Sequence, residues 1–133
     1  CLSSSKKNVL RGLHMQTSFP QGIYLSVIKG EIFDVAVDLR KKSKTFGKYF
    51  SIKLSDRNGF SLYIPEGFAH GFVGLKKENI ISYHCTNYRS KKHEIGIKWN
   101  DPDLNINWPK GKLTLSKKDK KNISFKEYLN NYE

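Results

Sequence analysis

The sequence predicts an all-β fold, an antiparallel sandwich or barrel with a short helical tail. Three observations point to it. Short runs of alternating apolar residues recur at intervals of about ten residues over most of the chain. Gly, Pro, Asn and Asp punctuate these runs as turn residues do. Helix-capping patterns gather near the end, at Ser116 and Ser124.

The elements follow in order. Arg11–Gln16, read as a strand, puts Arg11 and Leu13 on one face and Gly12, His14 and Gln16 on the other. Ile23–Ile28 is a strand, Lys29-Gly30 a tight turn, and Glu31–Leu39 the next strand, with Ile32, Val35 and Val37 apolar. Tyr49–Leu54 alternates through Phe50, Ile52 and Leu54, and Asp56-Arg57-Asn58-Gly59 then turns the chain. Phe60–Ile64 is a strand ended by Pro65-Glu66-Gly67, and Phe68–Leu75, Asn79–Thr86 and Glu94–Trp99 complete the series. Asn100–Pro109 reads as a loop, Ser116 caps one short turn, and Ser124-Phe125-Lys126-Glu127 is a capping box opening a helix over Phe125–Tyr132. Residues 1–133 show no internal repeat, linker or domain boundary, so one domain is expected.

Composition narrows the class. With 133 residues, 38% apolar and 13% aromatic, one domain can bury a real core. No apolar run approaches the roughly 18 residues of a membrane span, and the opening Cys1-Leu2-Ser3-Ser4-Ser5-Lys6-Lys7 has no h-region. The expectation is a protein without a membrane partner. Two cysteines, Cys1 and Cys85, are too few for a disulfide framework, which points to a reducing cytoplasm. The net charge of +12 invites a nucleic-acid reading, but only Arg11, Arg40, Arg57 and Arg89 supply the guanidinium that grips phosphates and base edges bidentately. No nucleic-acid partner is expected; attraction for small polyanionic ligands fits the charge as well.

Histidines carry the chemistry. Pro65-Glu66-Gly67-Phe68-Ala69-His70 matches the P-x-G-x-x-H turn of cupin barrels. A metal-binding cupin pairs that histidine with a His-x-His motif, whereas the earlier site here reads His14-Met15-Gln16. Only two of the roughly three protein ligands a catalytic metal needs can be assembled, so no metal is expected. The plain alternative for His70 is a turn histidine satisfied by backbone. His14 on a strand is more often a barrel-lining polar residue; a catalytic histidine gains from a carboxylate that fixes its tautomer. Spacing does not choose that partner among twelve acids.

Longer blocks add a resemblance. Asn8-Val9-Leu10-Arg11-Gly12-Leu13-His14, Gly30 to Arg40, Thr45-Phe46-Gly47, Ile64 to Phe72, Gly96-Ile97-Lys98-Trp99-Asn100-Asp101-Pro102 and Leu115-Ser116-Lys117-Lys118-Asp119 resemble, in order, the dTDP-4-dehydrorhamnose 3,5-epimerase family. The resemblance implies a cupin-type jelly roll, working as a homodimer on a nucleotide sugar in the cytoplasm, to supply deoxy sugars for surface polysaccharide. It implies inversion at C3, C5 or both of a 4-keto-6-deoxy sugar, with no cofactor. A C–H beside a ketone is acidic because its carbanion delocalises as an enolate, so a base takes the proton on one face and an acid returns one on the other.

By resemblance, His14 is the base, Asp119 its paired carboxylate, and Tyr83 the acid. Arg11, His70, Glu94 and Lys118 match substrate-contacting positions, with Arg11 and Lys118 suited to a diphosphate. Plainer roles exist: a strand tyrosine burying its ring, an acid at helix position N3, a solvated lysine. Three departures stand out. Ile23 replaces a lysine common in the family, which removes a charge near the sugar. Arg89 replaces a tyrosine that often stacks on the base, a role a guanidinium can share. The family's opening strands precede the block where this chain starts, so a longer parent is expected. A GDP-linked 4-keto heptose, or a non-catalytic cupin that binds nucleotide sugars, are the alternative readings.

Overall fold

In the computed structural model, which describes residues 1–132, β1 (Leu2–Lys6), β2 (Leu10–Gln16), β3 (Ile23–Lys29), β4 (Glu31–Asp38), β5 (Tyr49–Ser55), β6 (Ser61–Ile64), β7 (Phe68–Gly74), β8 (Glu78–Cys85) and β9 (Glu94–Gly96) form two antiparallel sheets. One sheet runs β1-β8-β3-β6 and the other β5-β4-β7-β2-β9. Apart from the β4–β5 pair, which lies in one sheet, β1 to β8 alternate between the sheets in jelly-roll order, the architecture expected.

Side-chain alternation explains the packing. Leu25, Val27 and Ile81 from one sheet meet Ile32, Ala36 and Leu54 from the other in a core between the sheets. The opposite face of β4 and β7 carries Val35, Val37, Ala69 and Val73, which pack under the C-terminal tail with Leu104, Trp108, Phe125 and Tyr128. β4 is therefore buried on both faces, and its sequence loses the simple alternation of a half-exposed strand. Gly30 makes the turn between β3 and β4 at a φ of +88°, where a Cβ would stand 2.4 Å from the Glu78 carbonyl oxygen.

The tail contains α1 (Lys117–Lys120) and α2 (Phe125–Asn131). Ser124 Oγ accepts the Glu127 N–H at 3.1 Å and the Glu127 carboxylate accepts the Ser124 N–H, completing the expected capping box. A seven-residue helix is weak alone; burying Phe125 and Tyr128 contributes about 1.5–3 kcal/mol each and holds it.

Several boundaries differ from the sequence reading. β1 is an additional strand, recruited by pairing with β8 rather than by any apolar alternation of its own. Phe60 lies outside β6, half exposed. The strand expected over Glu94–Trp99 ends at Gly96; Ile97 still exchanges backbone hydrogen bonds with Leu13 and also forms a parallel bridge with Ile123. The face assignment of Arg11 also fails, for a reason that shapes the site.

Candidate active site

β2 carries a bulge. Arg11 pairs with Phe72 and His14 with His70, so two residues, Gly12 and Leu13, oppose the single residue Gly71. Gly12 has a φ of +117°, and a Cβ there would stand 2.6 Å from the His70 carbonyl oxygen. Only glycine fits. The extra residue shifts the phase of the strand: Leu13 is fully buried toward the tail, while Arg11 joins His14 and Gln16 in lining one cleft. Strict alternation had put Arg11 on the other face.

The cleft lies between the sheets and has a volume of about 1050 Å³. On one wall, His14 Nε2 is 2.6 Å from Asp119 Oδ1. Ser116 caps α1 by accepting the Asp119 N–H at 3.1 Å, which turns that carboxylate toward β2. Asp119 is thus both an N3 acid and a histidine partner. Its Oδ2 accepts the Gly12 N–H at 3.2 Å. Burial opposes ionisation of Asp119, but the hydrogen bond and charge of His14, with help from Gly12 and Asn122, outweigh it and hold the carboxyl below its usual range. A carboxylate only accepts, so the proton between them belongs to His14 Nε2, and in the neutral imidazole Nδ1 then carries the lone pair.

His70 sits beside His14 on β7 and has its own carboxylate, with Nε2 2.7 Å from Asp34 Oδ2. A histidine satisfied by turn backbone is therefore not what the structure shows. Asp34 was missed by the sequence reading. It is fully buried, and its Oδ1 has no hydrogen-bond partner among the described residues. Burial pushes its carboxyl up, and the charge and hydrogen bond of His70 only partly offset this. The signal was available: Asp34 stands between Ile32 and Ala36 on the inward face of a strand, where a carboxylate requires a partner.

Tyr83 lines the cleft from β8, in the sheet opposite His14, with Ile23 and Cys85 beside it. At the mouth, Glu94 gathers two of the three cations expected to meet substrate. Its Oε1 accepts from Lys118 Nζ at 2.5 Å, and its Oε2 from Arg89 Nε at 3.2 Å. Burial works against the Glu94 carboxylate, but these bonds, with the charges of His14 and Arg89, bring its pKa down. Arg89 therefore lies in an ion pair rather than as a free stacking plane, and the fully solvent-exposed aromatic beside it is Tyr88. Gln16 braces this rim by accepting the Ser90 N–H at 2.7 Å. Arg11 reaches the Ser4 carbonyl at 3.2 Å. All eight expected site residues, His14, Tyr83, Asp119, Arg11, His70, Glu94, Lys118 and Arg89, line this one cleft. A basic nitrogen on one wall and a phenol on the other suit proton removal and return on opposite faces of a bound molecule.

The family model described as dTDP-4-dehydrorhamnose 3,5-epimerase matches residues 1–127. The enzyme of that name from Methanothermobacter thermautotrophicus is 50% identical over 121 residues, covering 89% of this chain and 65% of the relative. The Shigella flexneri enzyme is 50% identical over 118 residues, covering 88% of this chain and 65% of its own length. The chain thus spans about two-thirds of these curated relatives. The crystal structure of the Elizabethkingia anophelis dTDP-4-dehydrorhamnose 3,5-epimerase superposes with a TM-score of 0.93 at 43% identity, over 96% of this chain and 71% of that one. A Legionella pneumophila dTDP-6-deoxy-D-glucose-3,5-epimerase, solved with dTDP-4-keto-L-rhamnose, gives 0.92 at 43% identity, over all of this chain and 69% of that one.

Proposed function

The chain belongs to the dTDP-4-dehydrorhamnose 3,5-epimerase family, and on that premise we propose that it epimerises a dTDP-linked 4-keto-6-deoxy sugar at C3, C5 or both. The observation that supports this most is the His14–Asp119 pair facing Tyr83 across one cleft.

In this reading His14 Nδ1 takes the proton from a carbon flanking the ketone. The C–H electron pair moves into the ring, and charge collects on the keto oxygen as an enolate. Asp119 stabilises the imidazolium so formed. The Tyr83 hydroxyl gives its proton to the opposite face, and solvent restores both residues. No electrons leave the substrate, so the step needs no redox cofactor. His70 donates to the enolate oxygen from Nδ1–H. That donor exists wherever the proton shared by Nε2 and Asp34 resides, provided the pair holds two protons in all. Such a donor, aimed where charge develops, is worth about 10²–10³ in rate. Arg11 and Lys118 hold the diphosphate, Lys118 leaving Glu94 to do so, while Glu94 and Arg89 frame the mouth. The protein acts as a cytoplasmic homodimer in the supply of deoxy sugars for surface polysaccharide.

The test is deuterium uptake from heavy water into dTDP-4-keto-6-deoxyglucose, read by mass and NMR at C3 and C5, with the GDP-linked 4-keto heptose in parallel. Uptake with inversion on the dTDP sugar is expected. A folded protein that exchanges neither carbon overturns the catalytic reading and leaves a nucleotide-sugar-binding role.

A further inference from the structure

Behind Asp119 lies a buried amide. Asn122 Nδ2 donates to the Gly12 carbonyl and to Asp119 Oδ1, each at 3.3 Å. Both neighbours only accept hydrogen bonds, which fixes the orientation of the amide. Gly96 lies flat against its other side: a Cβ there would stand 2.1 Å from Asn122 Oδ1. The backbone beside it is pinned as well, with the Ile123 N–H donating to the Gly96 carbonyl at 3.1 Å and the Lys98 N–H to the Ile123 carbonyl at 2.9 Å.

We infer that Asn122 is a positioning residue for proton transfer, its two amide protons joining the Asp119 carboxylate and the Gly12 peptide into one bracket that aims Oδ1 at His14. The inference rests on the reading of His14 and Asp119 as the proton-transfer pair. The bracket closes in both directions. Gly12 gives its N–H to Asp119 Oδ2 and receives the Asn122 amide on its carbonyl, so the bulge that aims His14 and the carboxylate that meets it are fixed by the same residue. Without the amide, the carboxylate gains freedom to rotate, and Oδ1 leaves the 2.6 Å approach to Nε2. Asn122 lines no part of the cleft, so it has no direct hold on substrate. Its loss therefore lowers kcat and spares KM.

Two variants and one measurement on the unaltered protein test this. Asn122→Leu keeps bulk and removes both donors; Asn122→Ala removes bulk and donors. The His14 Nε2–H proton, held downfield by its carboxylate, is followed by NMR beside the deuterium-uptake kinetics. The expected result is loss or broadening of that signal and a fall in kcat of about 10- to 100-fold, since misplacements near 1 Å cost that much. KM stays unchanged. A folded variant with the signal and kcat intact overturns the inference. In the unaltered protein, the Asn122 amide protons should exchange slowly with solvent. Fast exchange overturns the inference even where both variants fail to fold. If the unaltered protein takes up no deuterium, the epimerase reading fails, while the His14 signal still decides the role of Asn122.

Discussion

His14 and Asp119 lie 105 residues apart in the chain and meet at 2.6 Å, Nε2 to Oδ1. The contact joins a strand bulge to the first turn of a helix, and both ends are set locally. Gly12 produces the bulge, and the Ser116 cap starts the helix. Their meeting depends on the tail folding back over the five-stranded sheet, which the apolar layer of Val35, Val73, Phe125 and Tyr128 drives.

Asp119→Asn should lower the exchange rate by about 10²–10⁴, the usual range for disabling acid–base machinery. Asp119 accepts hydrogen bonds on both oxygens, from His14 and Asn122 on one and Gly12 on the other. An asparagine must turn its NH₂ toward one of these donors, so the fold should also lose about 1–3 kcal/mol. Denaturant unfolding beside isotope exchange measures both effects. The Asp119 carboxyl titrates below its unfolded value, so its stabilisation is full above the ordinary carboxylate pKa and is lost as pH falls through the lower folded value. The gap between wild type and variant should narrow across that acidic window.

Tyr83→Phe should separate proton removal from inversion. His14 and Tyr83 stand on opposite sheets, so removing the phenol leaves the base in place. Deuterium should still enter the carbon that His14 serves, with configuration retained, while the epimeric product falls by about 10²–10⁴. NMR of the recovered sugar distinguishes retained from inverted label. Loss of exchange and inversion together would assign Tyr83 to the first step instead.

Gly12→Ala should cost about 3 kcal/mol or more. The substitution combines a φ of +117° with a Cβ only 2.6 Å from a backbone carbonyl, and neither the β2 nor the β7 backbone can give way without breaking the ladder. Thermal unfolding should show a large drop in Tm, and whatever protein folds should have lost the Arg11–His14 alignment and hence exchange activity.

The frame was legible because strands, turns and caps announce themselves locally. The Lys29-Gly30 turn and the Ser124 capping box are cases where residue chemistry alone decides the structure. Arg11 shows the limit. A period-2 reading assigns faces correctly only until one residue is inserted, and the isolated glycine Gly12, itself a bulge signal within a strand, marks where that happens. β1 was invisible for another reason, since Leu2-Ser3-Ser4-Ser5-Lys6 becomes a strand only by pairing with β8. Block resemblance pointed to His14 and Asp119, but it did not point to Asp34 or Asn122. Both are buried polar groups whose meaning lies in what they touch.

Asp34 offers a prediction of opposite sign to Asp119. Burial raises its carboxyl above the unfolded value despite the His70 contact. The folded chain therefore holds the Asp34 proton more tightly than the unfolded chain does. Its contribution to stability is greatest below the ordinary carboxylate pKa and is lost as pH rises through the folded value. Asp34→Asn removes that loss while keeping an oxygen for His70 Nε2, so at neutral pH the variant should be the more stable of the two. The gain should vanish below the ordinary carboxylate pKa, where both proteins carry an uncharged group at this position. Activity should move the other way. Without a carboxylate to share its proton, a neutral His70 that donates from Nε2 has no proton at Nδ1, and the enolate loses a donor worth about 10²–10³ in kcat. Chemical unfolding across pH 3 to 8, about the span where carboxylates and histidines titrate, measures the first effect and deuterium-uptake kinetics the second. A less stable variant at neutral pH would mean that Asp34 is retained for its pairing energy rather than for the proton it places on His70.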